Sequence, residues 1–283
     1  MRFSTVGEFD LTAALESGQV FQWREDEGGR RTGWVGGRLY RIWQQDGQIV
    51  FESPDGGDPA ALSEYLQLGF DTRPMRKFFL HLDPFLREAI AFAPGMRILK
   101  QDPWECLAGF ILSSMKQIVH IKQIWAIVSE RHGGHVEWDG AQFHRFPAPD
   151  VLASLDEKTL RDCRMGFRAE YLLGAARAIA AEKIRLDVPR HLSTREARAY
   201  LTRLPGVGVK IADCVLLYAY QKFDAFPRDV WIHRVLHRIY FRGKRKPSVQ
   251  KLERFIRDYF GPYAGYAQQF LFHYVRLNPG VLK

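Results

Sequence analysis

The chain has little cysteine, no long apolar run, no internal repeat and no low-complexity tract. Its three cysteines, Cys106, Cys163 and Cys214, are scattered through 283 residues, too few and too far apart for a disulfide framework or a clustered metal site. No uninterrupted apolar stretch approaches the roughly 20 residues that span a bilayer, so no membrane class is expected. The first eight residues lack an apolar core and end on Glu8, which argues against secretion and organelle import and for an intracellular location. With 46% hydrophobic residues, the chain can bury one large core or two modest ones.

Positive charge is abundant and unevenly spread. The net charge is +9, and residues 201–283 hold 15 Lys and Arg against 5 Asp and Glu, while residues 1–200 hold 26 against 27. The whole excess therefore lies in the last third, where it suits a polyanionic partner. Its densest run, Arg242-Gly243-Lys244-Arg245-Lys246, also reads as a solvated loop or a nuclear signal.

Periodicity predicts an α+β chain. Between Val20 and Glu52, the β-favouring runs Gly33–Val35, Leu39–Trp43 and Gln48–Phe51 are separated by Gly36-Gly37 and Asp46-Gly47, a pattern for a small antiparallel sheet. Asp-Pro pairs begin at residues 58, 83 and 102; each predicts a helix with Asp as cap and Pro in its first turn. Ser193-Thr194-Arg195-Glu196 reads as a capping box. From about residue 96 nearly everything reads helical. The expected organisation is an amino-terminal sheet domain with flanking helices over 1–95 and a helical domain over 96–283.

The most telling stretch is Leu204-Pro205-Gly206-Val207-Gly208-Val209-Lys210, followed nineteen residues after the lysine by Asp229. Pro205 to Gly208 must turn tightly between two helices. Glycine there permits backbone that larger residues avoid, and it leaves amides uncovered at a helix N-terminus where an anion is favoured. The run fits neither the mononucleotide nor the dinucleotide glycine pattern. It fits a helix-hairpin-helix over about 196–220, with Gly206, Val207 and Gly208 against a nucleic-acid backbone; an ordinary helix connection is the alternative. Lys210 opens the second helix, close to the sugar of any phosphate held by the turn, and its amine could attack C1′ of that sugar. Asp229 follows a proline-bearing loop at a helix start, where it serves as cap or as catalytic carboxylate.

On these residues the chain resembles the 8-oxoguanine DNA glycosylases of the helix-hairpin-helix superfamily. The likeness runs from about Phe9 to Arg276 and rests on five segments in the family's order: Phe9-Asp10-Leu11 with Ser17–Arg24, Arg97–Leu107, Met165–Tyr171, the hairpin with Ala212-Asp213-Cys214, and Gly265–Gln268 with Phe272. It implies an enzyme that everts 8-oxoguanine from duplex DNA. Lys210 would displace the base to form an imine, and β-elimination would then cut the strand. Asp229 would stabilise the oxocarbenium-like sugar. By the same resemblance the Gly18 carbonyl accepts from N7–H, which guanine lacks, Cys214 and Phe272 sandwich the ring, and Gln268 bonds its Watson–Crick edge. No cofactor is implied beyond a monovalent cation at the hairpin. Three cysteines cannot form the four-cysteine iron–sulfur loop of some relatives. A monomer is expected.

The chain departs from the family pattern at the strand-contacting residues. Met115 and Gln117 stand where asparagines are usual, His120 stands for an arginine that helps read the orphaned cytosine, Phe167 replaces a tyrosine wedge, and Trp231 replaces a histidine near the phosphate. Arg168 remains as cytosine contact. These changes predict weaker discrimination of the opposite base. Two other readings stay open: an alkylpurine glycosylase that uses Asp229 and water without an imine, and a non-catalytic hairpin module that only binds DNA.

Overall fold

The computed structural model describes residues 2–5, 7–114, 116–242 and 247–282. Its amino-terminal part is a five-stranded antiparallel sheet of spatial order β1-β5-β4-β3-β2, built from β1 (Arg2–Phe3), β2 (Arg24–Glu25), β3 (Arg31–Val35), β4 (Arg38–Gln45) and β5 (Gln48–Glu52), with helix α1 (Leu11–Glu16) between β1 and β2. Register places Gly33 opposite Tyr40 and Trp43 opposite Val50. The two tight turns are the expected ones: Gly36 and Gly37 have φ of 57° and 78°, and Asp46 and Gly47 have 51° and 72°. Two consecutive positive φ values suit the right-handed twist of a hairpin. Leu11 and Leu15 of α1, Ile42, Ile49 and Phe51 of the sheet, and Leu62 and Leu66 just beyond it form the sheet's core.

Helices α2 (Pro59–Tyr65), α4 (Pro84–Phe92) and α5 (Pro103–Leu112) start at the three Asp-Pro pairs, and α3 (Arg73–Leu80) lies between the first two. Asp58 caps Ala60 at 2.9 Å, Asp83 caps Leu86 at 2.8 Å and Asp102 caps Trp104 at 2.8 Å, each cap contributing about 1 kcal/mol. α3 and α4 precede the expected domain boundary at residue 95, yet Met75, Phe79, Leu86 and Ile90 are buried in the larger, helical core.

Beyond α5 come α6 (Ile118–His132), a hairpin of β6 (His135–Trp138) and β7 (Ala141–His144), then α7 (Pro149–Ala153), α8 (Glu157–Leu160), α9 (Arg168–Ala180), α10 (Thr194–Leu201), α11 (Val209–Tyr218), α12 (Val230–Val235), α13 (Val249–Phe260) and α14 (Ala264–Leu277). The β6–β7 hairpin corrects the nearly all-helical expectation; it turns on Asp139-Gly140 with φ of 51° and 74°, the same signal as Asp46-Gly47. α5 and α11 each bury eight of their ten residues, and α14 buries Ala264 to Leu271 without a break. Each Leu, Ile or Phe fully buried there contributes about 1.5–3 kcal/mol. Helices buried this completely form a rigid centre, and Lys210, at the start of α11, stands at its edge. Among the described residues no helix is long and apolar enough to cross a membrane.

Candidate active site

The hairpin is fixed from below. Ser193 and Glu196 form the expected reciprocal cap of α10; after it, Leu204 and Val207 are buried. Gly206 has φ +72°, and a methyl there would lie 2.4 Å from Tyr171 Cγ on α9, so both conformation and space require glycine. Gly208 caps α11 in extended conformation and offers no side-chain acceptor. The first-turn amides thus have no side-chain cap, as an anion-accepting helix start needs.

Lys210 is the second residue of α11 and is half-buried. Its Nζ donates to Ser113 Oγ at 3.3 Å and stands 5.1 Å from the ring centroid of Phe110. Asp229 caps α12, with Oδ1 accepting from Ile232 N–H at 2.8 Å. Burial raises the Asp229 carboxyl above its ordinary value, while the Ile232 bond and the charge of Lys210 pull it partly back. The charge of Lys210, at the start of α11, therefore reaches the carboxyl at the start of α12. Cys214 lies one turn after Lys210; burial pushes its thiol up to about 12 against the opposing pull of Lys210. It presents a neutral, polarisable surface.

Gly18 sits after α1 with φ +81°, and a methyl on it would meet Ile118 Cδ1 at 3.0 Å and Phe272 Cε1 at 3.1 Å. Phe272, half-buried, and Gly18 are thus brought together. Gln268, one turn before Phe272 on α14, is 3% exposed, and its Oε1 accepts no hydrogen bond among the described residues. A buried amide oxygen without a partner costs about 1–3 kcal/mol.

Of the residues expected to contact the strand, Gln117, His120, Phe167 and Arg168 lie where α6 and α9 begin, and Trp231 lies at the start of α12. Phe167 is 43% exposed and meets Tyr171 edge-on at 5.9 Å. Gln117 and His120 are exposed at the start of α6. Arg168 is turned inward: it is buried, its Nε donates to the Ser114 carbonyl at 2.8 Å and its Nη1 to the Met165 carbonyl at 3.2 Å. It ties the turn before α6 to α9, a role that its sequence position does not reveal. Trp231, half-buried, stacks under Arg234 at 5.2 Å. Met115 and residues 243–246 of the basic run lie outside the described residues.

Lys210 also lines a cavity of about 520 Å³ with Val209, Arg228, His233, Leu236 and Phe241, among others; Asp229, Gly18, Cys214, Gln268 and Phe272 do not border it. Sequence reasoning missed Phe110 and Ser113, the direct neighbours of the lysine amine. It also missed Gln269 and Tyr218, which shape the Gly18 loop. No local pattern marks them, because their partners are 51 to 252 residues away. Among the described residues no group of His, Cys, Asp or Glu is arranged to hold a metal.

The chain matches two family models: the 8-oxoguanine DNA glycosylase N-terminal domain over residues 3–107 and the HhH-GPD superfamily of base excision DNA repair proteins over residues 108–262. It is 30% identical to the N-glycosylase/DNA lyase OGG1 of Arabidopsis thaliana, over 94% of this chain and 77% of that one. Its fold resembles the structure of MBOgg1 with a low-affinity DNA ligand (TM-score 0.90, 35% identity, covering 98% of this chain and 95% of that one). It also resembles the Clostridium acetobutylicum 8-oxoguanine glycosylase/lyase bound to double-stranded DNA with cytosine opposite the lesion (TM-score 0.88, 32% identity, 96% and 93%). With both domain models matched in order across one continuous fold, the chain belongs to the 8-oxoguanine DNA glycosylase/lyase family of the HhH-GPD superfamily.

Proposed function

We propose that this glycosylase/lyase everts 8-oxoguanine from duplex DNA and excises it through an imine on Lys210. The observation that carries the reading is that Lys210 and Asp229 stand at the starts of α11 and α12 beside the glycine turn, with the lysine charge acting on the buried carboxyl. The neutral amine adds to C1′ while the bond to N9 of the base breaks, and the departing base takes up a proton. The C1′–O4′ bond then breaks, O4′ taking up a proton as the nitrogen pushes in its electron pair, and the ring opens to the imine. Abstraction of a C2′ proton expels the 3′ phosphate by β-elimination, and hydrolysis frees the lysine. Asp229, made more basic by burial, suits two tasks: taking the ammonium proton and stabilising positive charge on the sugar. Gly206, Val207 and Gly208 hold the backbone, Gly18 and Gln268 read the base, Phe272 and Cys214 flank it, and Phe167 fills the vacated stack. The chemistry calls for no cofactor; a monovalent cation beneath the hairpin would serve DNA binding. The expected partner is double-stranded DNA carrying oxidised guanine.

Borohydride reduction during turnover tests the imine. The parent should form a covalent DNA adduct on an 8-oxoguanine duplex. Lys210→Gln should abolish trapping and strand cleavage, and Asp229→Asn should slow base loss by at least about 10²-fold, the range of a lost electrostatic group. Active enzyme without an adduct would instead indicate water-driven excision of the alkylpurine type. Cleavage unchanged in both variants would remove these residues from the mechanism.

Opposite-base reading is proposed to be relaxed. Gln117 and His120 replace the usual contacts, and the Arg168 guanidinium is engaged by protein carbonyls. Rates on four duplexes differing only in the base opposite the lesion should lie within about tenfold, equivalent to about 1.4 kcal/mol. A strong preference for cytosine would overturn this.

A further inference from the structure

The carbonyls on either side of Gly18 are both occupied by buried amide side chains, and both amides lead back to one residue of the lysine-bearing helix. Gln269, fully buried, donates from Nε2 to the Ser17 carbonyl at 3.0 Å, and its Oε1 accepts from the Tyr218 hydroxyl at 2.5 Å. Gln101, also buried, donates from Nε2 to the Gln19 carbonyl at 2.7 Å, and its backbone N–H donates to the Tyr218 carbonyl at 2.8 Å. Gln19 completes the clamp: its amide donates to the Ala14 and Arg97 carbonyls at 2.9 and 2.8 Å and accepts from Leu99 N–H at 2.8 Å. Between the two occupied carbonyls, that of Gly18 accepts no hydrogen bond from a described residue.

We infer that Gln269 and Gln101, hung on Tyr218, are positioning residues that set the Gly18 carbonyl for base discrimination and hold it in register with the helix that carries Lys210. A carbonyl without a partner at a left-handed glycine is free to rotate unless its neighbours are pinned. Here the peptides on both sides are pinned by groups that themselves have partners. Tyr218 lies eight residues beyond Lys210 on α11, so the relay references base reader and nucleophile to one rigid helix. Discrimination by a single N7–H contact needs an acceptor placed within a few tenths of an ångström. The inference deepens the proposed reading and rests on it, since it assumes that Gly18 reads the base.

Two activities of the same enzyme separate positioning from general loosening. Excision of 8-oxoguanine needs the Gly18 carbonyl and Lys210; borohydride trapping on a duplex with a ready-made abasic site needs Lys210 alone. Gln269→Met, close in size but unable to donate, should lower kcat/KM for 8-oxoguanine excision by about tenfold or more, and trapping on abasic DNA should stay within about twofold of the parent. Tyr218→Phe, which keeps the ring and leaves the amide unheld at one end, should act in the same direction by a smaller factor; it decides the matter if Gln269→Met fails to fold. A parallel fall of both activities would make the relay merely structural, and unchanged excision in the folded variants would also overturn the inference. Should the parent itself excise guanine as readily as 8-oxoguanine, the Gly18 reading fails first and takes the relay with it.

Discussion

At the scale of single residues, environment divides groups that composition makes look alike. The three thiols are all buried. Burial pushes Cys214 to about 12 and Cys106 well above its ordinary value, and it raises Cys163 too, so each stays protonated at neutral pH and none is a nucleophile. Native protein incubated with iodoacetamide at pH 8 should lose less than one thiol equivalent while remaining active, and all three should react in denaturant; rapid native labelling of Cys214 would contradict the packing described. The positions of Lys210 at a helix start and of Asp229 as a cap were legible in the sequence because a turn and a cap are local features. The inward aim of Arg168 was not, since residue type and position say nothing about which carbonyl a guanidinium finds. Gln269 was equally hidden: next to the recognised Gln268, it reads as ordinary helix until the Ser17 carbonyl is placed against it by a segment 252 residues away.

At the scale of elements, the hairpin separates what the turn needs for folding from what it needs for binding. Gly206 combines φ +72° with Tyr171 directly beneath it, whereas a methyl on Gly208 meets nothing within 4 Å. Gly206→Ala therefore forces a positive-φ side chain into the Tyr171 ring and should cost at least about 2–3 kcal/mol, read as a lower denaturant midpoint at unchanged slope. Gly208→Ala should cost only about 1 kcal/mol, the difference between glycine and alanine at a helix cap, yet weaken duplex binding because the methyl covers the amides of the first turn. Equal loss of stability in the two variants would refute the asymmetry. Caps and two-residue turns carry local signatures, and α2, α4, α5, α10, β3, β4 and β5 were accordingly readable. The edge strands β1 and β2 have two residues each, too short for alternation to register. The β6–β7 hairpin carried its Asp-Gly signal but sat within a helical stretch and was absorbed by it.

At the scale of the whole molecule, α14 joins the amino-terminal loop to the helical core, and His273 lies in that seam. The ring is 6% exposed, packs 5.7 Å from Phe92 of α4, and has Nδ1 3.4 Å from Arg276 Nη2, which also donates to the Glu16 carbonyl at 2.7 Å. Burial, reinforced by the Arg276 charge and only slightly opposed by Asp10, lowers the imidazole to about 4 from 6.5. Since the unfolded chain binds that proton more readily, the neutral ring contributes stability that is intact above pH 6.5 and is lost as pH falls toward 4, up to about 3 kcal/mol for a displacement of this size. Asp213 works in the opposite sense: paired with Arg198 at 2.5 Å but raised by burial to about 6, it favours the fold as pH falls toward 4. Asp229 and Glu105, also raised by burial, act in the same sense as Asp213, so the raw pH profile of the parent blends them all. The difference between parent and His273→Gln isolates the histidine, because these carboxyls titrate alike in each. That variant should be the less stable protein at pH 7.5 and should gain on the parent steadily between pH 6.5 and 4.5, with the gap in denaturant midpoint closing or reversing. A gap that stays constant across this range would mean that His273 does not enter the fold as the neutral ring.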